Sequence, residues 1–158
     1  MRILFALLAA AQVACSPQTA APQGGTIPGL DGEFAFGALT VVNDRGERLE
    51  FEVYLATDYE QQRRGLMFVR DMPERTGMLF IYETEEIRSM WMKNTYIPLD
   101  MIFARADGTV VNVVRDTVPQ TLSSNRSTAP ARYVLELNGG TARRLGIGTR
   151  SRIIREDR

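Results

Sequence analysis

Leu49-Glu50-Phe51-Glu52-Val53-Tyr54-Leu55 alternates apolar and polar residues without a break, the two-residue period of a strand with one face in a core and the other in water. Upstream, Leu39 to Val42 is a short apolar run, and Asn43-Asp44-Arg45-Gly46 has the composition of a turn, so the two runs are expected to form a hairpin. Downstream, Thr57-Asp58-Tyr59-Glu60 has the form of a capping box, in which a hydroxyl and a carboxylate satisfy the free amides of a helix start. A short helix to about Arg64 follows, with Gly65 as its stop and Leu66, Met67 and Phe68 packed inward.

Short apolar runs recur at Met78 to Tyr82, Met90 to Met92, Leu99 to Ala104, Val110 to Val114 and Tyr133 to Leu137. Their lengths suit strands rather than helices. Asp107-Gly108 is a hairpin signal, because glycine tolerates the positive φ of such turns. Gly139-Gly140 precedes a helical turn at Thr141 to Leu145, and a last strand is expected around Arg152 to Ile154. The expected fold is therefore mainly β: a compact antiparallel barrel or sandwich of about seven or more short strands with one or two short helices.

The N-terminus is of another kind. Met1-Arg2 is followed by an unbroken apolar run, Ile3 to Ala11, which has the length of a signal-peptide core and is too short to span a bilayer. Gln12-Val13-Ala14-Cys15-Ser16 resembles the cleavage box of bacterial lipoproteins, with Gln12 where an aliphatic residue is usual. Residues 1–15 are read as a signal segment with lipoprotein cleavage before Cys15, residues 16–37 as a flexible Pro-, Gly- and Ala-rich spacer, and 38–158 as a single β-rich domain. The implied location is periplasmic or cell-envelope, with the membrane reached by a lipid anchor only. Cys15 is the sole cysteine, so no internal disulfide can form.

Composition narrows the chemistry. The 19 basic and 19 acidic residues balance, which leaves no cationic excess for neutralising a nucleic-acid backbone, and none is expected as a partner. The chain has no histidine. That removes the usual near-neutral general base and, with Cys15 outside the domain, the usual zinc ligands and histidine-assisted nucleophiles. No phosphate-cradling or dinucleotide motif is present, and no cofactor is expected.

Arg64-Gly65-Leu66-Met67, Gly77-Met78-Leu79-Phe80, Met90-Trp91-Met92-Lys93-Asn94-Thr95, Ile97-Pro98-Leu99-Asp100-Met101-Ile102-Phe103 and Tyr133-Val134-Leu135-Glu136-Leu137 closely resemble the motifs of domain-of-unknown-function family 192 over about residues 38 to 155. The resemblance implies a mostly β, single-domain protein, often exported in bacteria, with no established biochemical activity. Two positions depart from the family pattern: Gln120 follows Pro119 where the family often has a cysteine, and Gly148-Thr149 replaces a usual glycine-aspartate pair.

Within the densest motif, Lys93 is the one lysine beside 18 arginines. A compact, tunable ammonium differs from the wide, permanently charged guanidinium fork. Lys93 either closes a turn and pairs with a carboxylate, Asp100 first among them, or faces a ligand. Asp100 interrupts an apolar strand and needs a cation or several amides if buried. Trp91 is either a core or rim residue or an exposed platform for a sugar ring or a partner side chain. Arg64, Trp91, Lys93, Asn94 and Asp100 are therefore the candidate ligand-binding set. Met90 and Met92 are weak candidates for Cu(I), since thioethers favour that ion but also fill cores.

Three functional readings follow. The first is a non-catalytic envelope protein that binds a small polar or anionic ligand or a protein partner. The second is an enzyme acting on envelope carbohydrate or peptide, with Asp100 and another carboxylate such as Glu136 as acid and base, which requires both carboxyl groups on one face. The third, a purely structural accessory domain, requires no concave pocket near Lys93.

Overall fold

The computed structural model describes residues 25–155. The signal segment, Cys15 and the first part of the spacer lie outside the described residues, as do residues 156–158.

The alternating stretch forms β2 (Arg48–Ala56), which makes a hairpin with β1 (Ala35–Val42), Leu39 opposite Phe51. A short helix, α1 (Tyr59–Arg64), precedes β3 (Thr76–Glu86). After a two-residue β4 (Ser89–Met90) come β5 (Leu99–Ala104) and β6 (Val110–Val114), and then a two-residue β7 (Asn125–Arg126) that pairs with β4. The chain ends with β8 (Ala131–Asn138), one helical turn α2 (Thr141–Arg144) and β9 (Arg152–Arg155). Seven strands make one curled sheet in the order β6-β5-β8-β3-β2-β1-β9. The fold is mainly β, as the sequence predicts.

One pairing departs from the antiparallel expectation. β2 and β3 are parallel, with Glu52 opposite Thr76 and Ala56 opposite Phe80. Parallel neighbours need a crossover rather than a tight turn, and residues 57–75 supply it by way of α1. Of the Met90 to Met92 run only Met90 is in a strand.

The sheet is covered on both faces. Leu39, Val41, Phe51, Val53, Leu135 and Leu137 pack on one, with Ala142 and Ile147 from the C-terminal segment. Tyr54, Met78, Phe80, Met101 and Val134 face the other, beneath Leu66 and Val69 of the crossover and Met92 of the loop after β4. The second face of β2, expected to be wet, is thus buried around Tyr54. Part of that cover comes from the segment read as spacer: Ile27, Leu30 and Phe34 belong to the same core, and the Ile27 amide donates to the Tyr54 hydroxyl at 2.7 Å. Residues 25–34 pack through turns, and turns show no hydrophobic period to read. The packed unit therefore starts before residue 38.

The two edges of the sheet meet at the β5–β6 turn. The Ile153 amide donates to the Gly108 carbonyl at 2.8 Å, and the Val110 amide to the Ser151 carbonyl at 3.1 Å. Gly108 has φ +84°, and a Cβ there would collide with the Ile153 carbonyl oxygen. Gly46 has a similar φ of +82° but open space around it. Replacing Gly108 with Ala is therefore expected to cost about 3 kcal/mol or more, whereas Gly46→Ala costs only the left-handed penalty of about 1 kcal/mol. Urea unfolding of the two variants checks this; equal losses would contradict the closure.

Candidate functional site

The crossover places the first wall of a cleft. α1 begins with a capping box one residue later than the sequence suggests: the Asp58 carboxylate accepts from the Gln61 amide at 2.9 Å, and the Gln61 side chain caps the Asp58 amide in return. Asp58 takes the cap from Thr57 because its charged oxygen is the stronger acceptor. Arg64 closes the last turn, and Gly65, at φ +46°, ends it. The Arg64 guanidinium donates to the Met67 and Gly65 carbonyls, stacks 5.3 Å from the Phe68 ring and lies 3.9 Å from the Glu33 carboxylate.

The second wall is the loop from Trp91 to Thr95. Met92 is fully buried and its sulfur accepts from the Thr117 hydroxyl. Its flanking residues, Trp91 and Lys93, point outward, and Lys93 Nζ lies 5.5 Å from the Trp91 ring. The walls are tied by the Phe68 amide, which donates to the Asn94 carbonyl at 2.8 Å. Both residues of that bond have positive φ, 69° for Phe68 and 55° for Asn94. Left-handed backbone at a bulky residue costs on the order of 1–3 kcal/mol and persists only where its surroundings enforce it. Here it turns the Phe68 ring outward, 52% exposed, across from Trp91, 50% exposed.

Between the walls is a cleft of about 610 Å³. Arg64, Trp91, Lys93 and Asn94, four of the five residues expected to bind a ligand, line it together. Phe34, Phe68 and Met67 add apolar surface, and Glu33, Asp58 and Glu60 add acidic groups. The sequence reading missed Phe34 and Phe68, one assigned to the spacer and the other to the interior. Among the described residues Arg63 pairs with Glu60 and Arg64 approaches Glu33, whereas Lys93 is in no ion pair. A concave pocket at Lys93 also removes the premise of the purely structural reading.

Asp100 is elsewhere, and its expected place in the site is corrected. It is fully buried, and its two carboxylate oxygens accept the Asp116 amide at 2.8 Å and the Ala142 amide at 2.7 Å. Those amides, not Lys93, satisfy the charge, and they fix the loop after β6 and the start of α2 to the sheet. The proposed acid–base pair also fails. β5 and β8 pair with Asp100 opposite Leu137 and Met101 opposite Glu136, and directly opposed residues share a face. Asp100 and Glu136 therefore lie on opposite faces of the sheet. Arg132 of β8 donates to the Tyr82 carbonyl.

Five methionines act as packing. Met72, Met78, Met92 and Met101 are buried in the core under the crossover, with Met90 against it, where its sulfur accepts from the Tyr82 hydroxyl. Among the described residues no group of three or more Asp, Glu, Cys or His is placed to hold a metal ion.

Residues 40–154 match the model of domain-of-unknown-function family 192, described as an uncharacterised ACR. The chain belongs to this family. A comparison with curated proteins finds no match. Among solved structures, a candidate transcription regulator from Sinorhizobium meliloti 1021 is 39% identical, with 77% of this chain and 94% of that one covered at a TM-score of 0.75. A protein of unknown function from Novosphingobium aromaticivorans DSM 12444 is 31% identical, with 92% of this chain and 100% of that one covered at a TM-score of 0.76. The family match includes the crossover and the Trp91 to Thr95 loop that form the two walls, while Glu33 and Phe34 precede it.

On the cleft side of the sheet Glu136 stands out as a titrating group. It is 3% exposed, and burial pushes its carboxyl up to about 8. Tyr82, in the same low-dielectric region, is pushed up to about 12, by burial first and by Glu136 second. Because the Glu136 value is higher folded than unfolded, its contribution to stability is full below about pH 4.5 and is lost as pH rises through about 8. Urea unfolding is expected to show stability falling by on the order of 4 kcal/mol across that window, with the fall abolished in Glu136→Gln. An unchanged slope in the variant would refute the assignment.

Proposed function

We propose that this family-192 protein is a non-catalytic cell-envelope domain that binds a small polar or anionic ligand in the cleft between the crossover and the Trp91 to Thr95 loop. The observation that carries this reading is the convergence of Arg64, Trp91, Lys93 and Asn94 on one cleft in which Lys93 has no carboxylate partner among the described residues. An ammonium held at the mouth of a pocket, with two half-exposed rings beside it, supplies charge and a flat apolar platform at little reorganisation cost. The cleft size, about 610 Å³, is that of a small-molecule site. A catalytic reading has less support, since the one carboxylate pair the sequence offered is split between two faces. The description of the Sinorhizobium relative as a candidate regulator does not favour direct DNA contact here, given balanced charge.

The same proposal holds the domain at a membrane through a lipid on Cys15, following the signal-like run Ile3 to Ala11. A lone lipidated cysteine before a packed domain makes a tether of the residues between.

Two outcomes are expected. Native mass spectrometry of the gently purified full chain finds a small molecule retained by the wild type and lost from Lys93→Ala and Trp91→Ala, with both variants unfolding as the wild type does. Retention unaffected by either substitution would place the ligand elsewhere. In a cell that processes lipoproteins, Cys15→Ser moves the protein from the membrane to the soluble fraction, and an unchanged distribution would refute the tether.

A further inference from the structure

Behind the cleft, a slot of about 30 Å³ runs inward between α1 and the Trp91 to Thr95 loop. That is the room one water-sized group needs. Arg64, Trp91 and Lys93 line both the cleft and the slot, and Glu136 of β8 joins them in the slot. Glu136 shares its face of the sheet with Met78 and Met101, its partners on β3 and β5, and so lies on the side the crossover covers.

The Glu136 side chain has no hydrogen bond or ion pair with any described residue, although the residue is 3% exposed, and because no fully enclosed side-chain oxygen among the described residues lacks a partner, its carboxyl group keeps a narrow opening to the outside. A polar group so buried is costly unless something satisfies it. The other buried carboxylate of the sheet, Asp100, has two backbone amides to itself. The Glu136 side chain has none among the described residues, and it lines the slot.

The chemistry of the slot narrows what enters. A carboxyl raised to about 8 by burial keeps its proton at neutral pH, so it offers one donor and one acceptor. A hydroxyl is the water-sized group that matches both. An ammonium would meet Arg63, Arg64 and Lys93 at the slot lining, while Tyr82 on β3 is held neutral and offers it no counter-charge. At the mouth the requirement reverses, because Lys93, in no ion pair among the described residues, calls for an anion. The exposed faces of Trp91 and Phe68 suit the C–H face of a ring.

We infer that the cleft binds an acidic sugar, with its carboxylate on Lys93, its ring against Trp91 and one hydroxyl in the slot against Glu136. This deepens the ligand-binding reading above and rests on it. Glu136 is the group that reads the hydroxyl, and Lys93 the group that reads the charge.

Calorimetric titration of the full chain with three probes tests the inference: glucuronate, glucose, which lacks the carboxylate, and cyclohexanecarboxylate, which lacks the hydroxyls. The wild type is expected to bind glucuronate at least about tenfold more tightly than either of the others. Lys93→Ala removes the advantage over glucose. Glu136→Met removes the advantage over cyclohexanecarboxylate, and Glu136→Gln, which keeps a donor and an acceptor, restores it. Cyclohexanecarboxylate binding as tightly as glucuronate in the wild type would overturn the hydroxyl assignment without any variant. Glucuronate binding that is lost in Lys93→Ala but intact in Glu136→Met would overturn the role of Glu136 and leave the ligand cleft standing. Binding of none of the three would overturn the acidic-sugar assignment, while the ligand-retention measurement above decides the cleft separately.

Discussion

The parallel register of β2 against β3 is the constraint on which the rest of the molecule depends. Two strands that run the same way side by side cannot be joined by a hairpin, so the chain must leave the end of β2, cross one face of the sheet and re-enter at the start of β3. Residues 57–75 make that passage. They are held down by the Gln62 side chain on the Ile81 carbonyl and by the Asn138 side chain on the Met72 carbonyl. The crossover buries Leu66, Val69 and Met72 against the sheet and leaves Arg64, Met67 and Phe68 along its rim. The cleft is the gap between this passage and the loop after β4.

A sheet covered on both faces separates neighbouring residues into different environments. Asp100 and Glu136 are on adjacent strands, one register position apart, yet the pleat sends them to opposite sides. Asp100 meets two backbone amides and holds the C-terminal segment in place. The Glu136 carboxyl meets no partner among the described residues, sits in a low-dielectric layer and keeps its proton to about 8. One carboxyl is therefore consumed by architecture, and the other remains available to whatever enters from the cleft. The backbone of the rim reinforces this division, since Phe68 and Asn94 accept left-handed conformations at a backbone hydrogen bond that joins the two walls.

Much of the fold was legible in local pattern. The alternation of Leu49 to Leu55, the Asn43 to Gly46 turn and the Asp107-Gly108 hairpin each carry their structure within a few residues, and the strands lie where the apolar runs are. The parallel pairing was not legible, because the partner of a strand is set by long-range packing and not by its own period. The role of Ile27, Leu30 and Phe34 was hidden for a related reason: irregular turns bury side chains without any repeat. For the site, the contrast of one lysine with eighteen arginines drew attention to Lys93, which lines the cleft, whereas the sequence left Trp91 open between the core and the surface, and the burial of Met92 beside it turns it outward. Asp100 was assigned to the same cleft because an acid in an apolar strand needs partners, and sequence alone does not distinguish a side-chain cation from two backbone amides.

Lys93 is proposed as a ligand-facing cation at the mouth of a built cleft rather than half of a structural ion pair. A crystal structure of the natively purified full chain tests this most directly. Electron density for a small molecule bounded by Trp91, Lys93 and Asn94 is expected, with Lys93 Nζ within hydrogen-bond distance of it. A cleft holding only water, with Lys93 Nζ turned onto a protein carboxylate such as Glu33, would contradict it.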